Sequence, residues 1–125
     1  MKESTIQQQI CEYLSVHGIF FFAIQNENLM MMIKMFKVPE RQGSALVSHA
    51  KKMGMVPGMP DLCMLLPHEP RPIFLEVKNE TGKVSAQQNI IHNAIFNIGM
   101  NCVHIVRSVE DVEKVLKKYE WRAYP

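Results

Sequence analysis

Two carboxylates and an amine stand where apolar residues are expected. Asp61 follows Pro60 at the mouth of the apolar run 62–66, and Glu76 and Lys78 interrupt the end of a second run that begins at Ile73. The connector between the runs carries Pro67, Pro70 and Pro72, and short apolar runs bounded by proline read as two strands joined by a turn. Strand side chains alternate faces, so Glu76 and Lys78 point one way and Val77 the other. Two carboxylates and an ammonium group then converge at one end of a sheet. Carboxylate oxygens are the donors a hard cation such as Mg²⁺ takes, and a neighbouring lysine suits an anionic substrate or a proton in transit.

Each residue also has a plainer reading. Asp61 can simply shape the turn after proline. Glu76 and Lys78 can be an exposed pair at a strand end, worth little. Against this, both lie in the most apolar strand of the hairpin, where uncompensated charge is expensive.

The elements that must position these residues follow from periodicity. Ser4 with Gln7 has the form of a capping box. Ile6, Ile10, Tyr13 and Leu14 then recur at helical spacing until Gly18 ends the helix. Residues 19–24 are aromatic-rich and read as a buried strand, bounded by the polar stretch Gln25-Asn26-Glu27-Asn28. Residues 29–37 are apolar nearly all round, fitting a helix on the sheet or one packed on a partner. The Met30-Met31-Met32 cluster reads as core or interface. Residues 39–43 read as a loop, and 44–53 as a short helix capped by Ser44 and ending in Lys51 and Lys52, cations suited to a helix C-terminus. After the hairpin and a turn at Gly82, Ser85 caps a helix with an apolar stripe of Ile90, Ile91, Ala94, Ile95 and Ile98, stopped by Gly99. Ser85 and Gln88 form a capping box by themselves, so Gln88 has a structural role open to it besides a chemical one. Residues 101–106 read as a last buried strand. Ser108 and Asp111 start a final helix carrying Val109, Val112, Val115, Leu116 and Tyr119, and the tail from residue 120 has no pattern. The order predicts one compact α/β domain over residues 1–125, with a central mixed sheet flanked by helices.

Composition bounds the function classes. A 125-residue chain is one domain with a real core. At 47% hydrophobic and 21% charged it is an ordinary globular protein. Its apolar runs are far short of the roughly 20 residues of a membrane span. The polar N-terminus shows no signal peptide, so no membrane association is expected. Cys11, Cys63 and Cys102 are odd in number and sit in apolar contexts, as reduced cysteines of a cytoplasmic protein would. The five histidines lack metal-ligand spacing, which argues against zinc. A net charge of +2 permits a nucleic-acid partner without requiring one.

Gly58-Met59-Pro60-Asp61, Glu76-Val77-Lys78 and Ser85-Ala86-Gln87-Gln88, in that order, resemble the VRR-NUC family of the PD-(D/E)-x-K nuclease superfamily. Each motif alone is weak; the three in order, each on the element the family requires, make a fairly strong signal. The resemblance implies a restriction endonuclease-like fold and a Mg²⁺-dependent DNA endonuclease, with Mn²⁺ also supporting activity. It implies Asp61, Glu76 and the Val77 backbone carbonyl as metal ligands, Lys78 handling the attacking water, and Gln88 touching the water, Lys78 or the phosphate. A further acidic residue comes from the first helix: Glu3 is the first choice and Glu12 the rival. Lys34, Lys37, Arg41, Lys51 and Lys52 are candidates for tracking phosphates, or ordinary surface cations. The family's Asn-Gly and Arg signature after the first strand is replaced here by Gln25-Asn26-Glu27-Asn28, which bears on substrate handling. Without a companion domain the chain is expected to act as stand-alone relatives do, as a homodimer on Holliday-junction-like or flap DNA, in a bacterial or phage-infected cell. The alternatives are a silent nucleic-acid-binding subunit and a hydrolase of RNA or another phosphodiester.

Overall fold

The computed structural model describes residues 1–26 and 28–122, apart from the side chain of Asn28. Among these residues the elements run α1 (Glu3–Val16), β1 (Phe20–Ala23), α2 (Asn28–Met35), α3 (Glu40–Lys52), β2 (Leu62–Leu65), β3 (Ile73–Val77), α4 (Ala86–Asn97), β4 (Val103–Val106) and α5 (Val109–Lys118). The strands form one mixed sheet in the order β1-β2-β3-β4, antiparallel through the first three and parallel between β3 and β4. This is the expected α/β architecture, consistent with a restriction endonuclease-like fold. Glu27 and residues 123–125, on which the readings of the polar stretch and of the tail partly rest, lie outside the described residues.

The antiparallel register places Leu62 opposite Leu75 and Met64 opposite Ile73. These side chains share a face with Val77 and Val106 and pack against Ile6, Ile10 and Leu14 of α1 and Val112 and Leu116 of α5. Each is fully or nearly fully buried, and the burial of such aliphatic side chains contributes roughly 1.5–3 kcal/mol apiece before conformational entropy is charged. Glu76 of β3 and Lys78, just past its end, point to the opposite face, under α4.

Four local expectations are corrected. The Ser4 capping box does not form: Lys2 is the N-cap of α1, without a side-chain cap. The helix starts early because the N–H groups of Thr5 and Ile6 reach the Lys2 carbonyl, and Glu3 in the first turn complements the helix dipole. Second, the loop expected at 39–43 and the Ser44 cap are replaced by a helix that begins at Glu40. Gly43, the last residue of the stretch read as a loop, is buried where a Cβ would stand 2.9 Å from Ile33 Cγ2. It permits α3 to approach α2. Third, the apolar stripe of α4 is not core, since Ile90 and Ile98 are exposed. The face turned to the sheet carries Gln88, Ile91, His92 and Ile95, at helical spacing, and Gln88 is the buried residue among them. Fourth, residues 19–24, read as a buried strand, form the edge strand β1, on which Phe20 and Phe22 are exposed; the last strand, β4, is likewise buried only in part, with Ile105 exposed.

The helix-end expectations hold. Ser85 closes a complete capping box with Gln88, Gly99 follows the end of α4 at φ +89°, and Ser108 caps α5 through Asp111 N–H. Residues 29–37, left open above, are helical through Met35. Cys63 and Cys102 are buried, Cys11 half-buried, and all three are free thiols. No helix of the described residues is long and apolar enough to cross a membrane.

Candidate active site

Asp61 is set at its sheet end by backbone geometry. Its N–H donates to the Leu75 carbonyl (3.1 Å), its carbonyl accepts from Ile24 N–H (2.9 Å), and its Oδ2 accepts from Val77 N–H at 2.8 Å. The turn before it needs Gly58. At φ +92° with a Cβ position only 2.8 Å from the Gln87 carbonyl and 3.0 Å from Ile91 Cγ1, no other residue fits without displacement. The Pro-Asp turn is thereby seated on the first turn of α4.

Glu76 and Lys78 are both buried, at 1% and 7% exposure. Such burial is tolerated only with partners, and α4 supplies them. Lys78 Nζ donates to Gln88 Oε1 at 2.9 Å. Gln88 Nε2 donates to Glu76 Oε2 at 3.4 Å, and Glu76 Oε1 meets His92 Nε2 at 3.0 Å. Gln88 Oε1 also accepts from Ser85 N–H (2.9 Å) while Gln88 N–H donates to Ser85 Oγ (3.1 Å). Capping and contact with the charged pair are therefore one arrangement.

The first helix contributes Glu3. It is half-buried and lines a cleft of about 330 Å³ together with Gln7, Cys11, Met31, Asp61 and Val77. Glu12 is exposed and does not line that cleft. Opposite Glu3 stands Gly82, where a Cβ would be 3.0 Å from Glu3 Oε1. The Gly82 loop is clamped by Arg107, whose Nη1 donates to the carbonyls of Asn79 (2.6 Å) and Gly82 (2.8 Å).

Three residues at the site were not singled out from sequence: Asn26, His92 and Arg107. Asn26 is buried and its Nδ2 donates to the Met59 carbonyl (2.8 Å), with longer approaches to the Pro60 carbonyl and Asp61 Oδ1 (both 3.4 Å). It ties the end of β1 to the Pro-Asp turn. The departure of the 25–28 stretch from the family signature thus still leaves an asparagine bonded at the site. His92, one turn after Gln88, was visible only as an i+4 polar residue on a helix read as apolar. Burial and the neighbouring Lys78 charge push its imidazole below the usual histidine range, against a smaller opposing effect of Asp61. It is then neutral near pH 7, and a donor role toward Glu76 Oε1 places its proton on Nε2.

The five candidate phosphate-tracking residues, Lys34, Lys37, Arg41, Lys51 and Lys52, are all exposed on or beside α2 and α3. Lys34 and Lys51 line one groove between these helices. None of the five lines the Asp61 cleft.

Among the described residues no three histidine, cysteine, aspartate or glutamate side chains gather into a metal cluster. The donor chemistry nonetheless fits Mg²⁺ or Mn²⁺, which are typically held by one or two carboxylates, with substrate phosphate and water completing the shell. Asp61, Glu76 and the Val77 carbonyl are all hard oxygen donors.

An Asp at the start of one central strand and Glu-x-Lys at the end of its neighbour, in a mixed sheet with a Gln-bearing helix across them, define a nuclease-type α/β domain of the PD-(D/E)-x-K class. The profile of the VRR-NUC domain matches residues 2–107. The chain belongs to the VRR-NUC family, which implies a nuclease-type function. No curated protein and no solved structure gives a significant match.

Proposed function

We propose that this protein is a metal-dependent DNA endonuclease that hydrolyses phosphodiester bonds, with Asp61, Glu76 and the Val77 carbonyl holding Mg²⁺ or Mn²⁺. The observation that supports it best is the buried Lys78–Gln88–Glu76 chain, whose charges have no evident purpose in a strand that could have been wholly apolar. When bound, the cation supplies charge neutralisation of the phosphate and acidification of water. Lys78 would offset, through its ammonium charge, the negative charge that builds on the phosphate oxygens; it would also orient the attacking water, or, as the neutral amine, take that water's proton. Gln88 holds that amine in one position through Oε1. Glu3, on the wall of the same cleft as Asp61, would add a further carboxylate oxygen to the cation or to its water.

The test incubates purified protein with labelled duplex, flap, single-stranded and four-way-junction DNA, and with RNA, in Mg²⁺, Mn²⁺ or EDTA. Cleavage that requires the metal and is abolished by Lys78→Ala, while DNA binding persists, is the expected result. Cleavage surviving both EDTA and Lys78→Ala would sink the mechanism. Binding without cleavage would leave a silent nucleic-acid-binding subunit, and cleavage of RNA alone an RNA hydrolase.

The same reading includes a homodimer making paired cuts in a junction or flap, in the cytoplasm. It draws support from the exposed methionines Met30, Met31, Met32 and Met35 with Phe36, and from Phe20 and Phe22 on the edge strand β1. An edge strand lacking charge or proline is a ready surface for pairing with a second copy. A monomer in sedimentation at micromolar concentration refutes the dimer.

A further inference from the structure

We propose that His92 is a positioning residue for the cation site: it donates Nε2–H to Glu76 Oε1 and so fixes the carboxylate in the rotamer that presents its remaining lone pairs to the metal. The inference rests on the reading of Glu76 as a cation ligand. The geometry is specific. Glutamate has three side-chain torsions, and a ligand that samples several rotamers binds a metal less tightly than one held in place. Here one helix face holds it by two donors, Gln88 Nε2 on Oε2 (3.4 Å) and His92 Nε2 on Oε1 (3.0 Å). The closer of the two is His92. A carboxylate offers about four acceptor positions, so accepting from His92 and Gln88 is compatible with ligating a cation. His92 itself is 14% exposed at its side chain, held on α4, whose entry is fixed by the Ser85–Gln88 box. A hydrogen-bonded partner behind a metal-binding carboxylate typically changes metal affinity by about 10–100-fold.

A histidine that merely satisfies a buried glutamate would support the fold and leave metal affinity unaffected in any variant that still folds. The experiment therefore measures Mn²⁺ affinity of the DNA-free full chain by calorimetry and by the loss of the free Mn²⁺ spin-resonance signal. Four proteins are compared: wild type, Glu76→Gln, His92→Phe and His92→Gln. Phenylalanine keeps the ring volume without a donor; glutamine places an amide N–H near the position of Nε2. Wild type binding Mn²⁺, Glu76→Gln binding far more weakly, His92→Phe losing about 10–100-fold and His92→Gln staying close to wild type is the expected pattern. The Mg²⁺ concentration that half-saturates cleavage shifts with it, and the rate at saturating metal recovers. Wild type that binds no Mn²⁺ overturns the metal reading itself. Wild type that binds with His92→Phe equally tight overturns the positioning role alone, as does equal loss in folded His92→Phe and His92→Gln. If His92→Phe does not fold, a folded His92→Gln with wild-type affinity supports the assignment and one with weakened affinity refutes it.

Discussion

Replacing Gln88 by alanine separates the two jobs that sequence alone left entangled. Gln88 is 5% exposed and its Oε1 accepts both the Lys78 ammonium and the Ser85 N–H, each at 2.9 Å. Alanine removes a hydrogen bond to a buried charge, worth about 1.5–3 kcal/mol, and one half of a capping box, worth about 1 kcal/mol. Lys78 cannot escape to bulk water without leaving a site where it is 7% exposed, so the expected loss is about 3 kcal/mol. For a domain of this size that is a fall in melting temperature on the order of 10 °C. Ser85→Ala is the control, because it removes only the bond from Gln88 N–H to Ser85 Oγ and costs about 1 kcal/mol. Urea unfolding of both variants, followed by cleavage assays on whatever remains folded, gives the comparison. Cleavage falls with Gln88→Ala and persists with Ser85→Ala. If Gln88→Ala is no less stable than Ser85→Ala and cuts as well, Gln88 is a cap and nothing more.

Three further outcomes follow from the same geometry. Glu3→Gln lowers metal-dependent cleavage at least tenfold while Glu12→Gln leaves it unchanged, because Glu3 lines the Asp61 cleft and Glu12 faces solvent; steady-state rates decide it. Gly58→Ala destabilises by roughly 2 kcal/mol or more, through positive φ and the 2.8 Å clash with the Gln87 carbonyl, as read by thermal melting. Burial and Lys118 hold His104 below the usual histidine range beside Tyr119 Oη at 2.7 Å. Its folded value lies under its unfolded value near 6.5, so the stability it contributes is full above that pH. It is lost as pH falls through the folded value, and His104→Gln flattens the decline measured between pH 7 and pH 5.

What could be read from the sequence was whatever local chemistry decides. The Ser85 box, the Gly99 stop and both hairpin strands follow from residues within a few positions of each other, and the structure keeps them. Gly43 gave no sign of its role, because a glycine serving close helix approach looks the same in sequence as one breaking a helix. Ser4 misled because a cap is chosen by where the helix starts, and the Lys2 carbonyl starts it earlier. The stripe on α4 misled for a more informative reason. Its isoleucines suggest one apolar face, but the orientation of α4 is set by hydrogen bonds from Gln88 and His92 to the buried Lys78 and Glu76, which no hydrophobic pattern contains.

Asn26, Arg107 and His92 share a property that explains why they escaped notice. Each acts on a segment far away in the chain: Asn26 on the 59–61 turn, Arg107 on the carbonyls of Asn79 and Gly82, His92 on Glu76. A motif read along the chain finds the groups that do chemistry, since these are grouped by type and spacing. It does not find the groups that hold them still. At this site the holding falls to helix α4 and two loops rather than to the strands. Glu76 lies on β3 and Asp61 immediately before β2, with its N–H bonded to the Leu75 carbonyl, so their backbone separation is fixed by the ladder. Their side chains depend on partners the ladder does not supply. Mutations at those partners should therefore change metal affinity and rate without changing the sheet, whereas mutations of core residues such as Leu75 should lose fold and activity together.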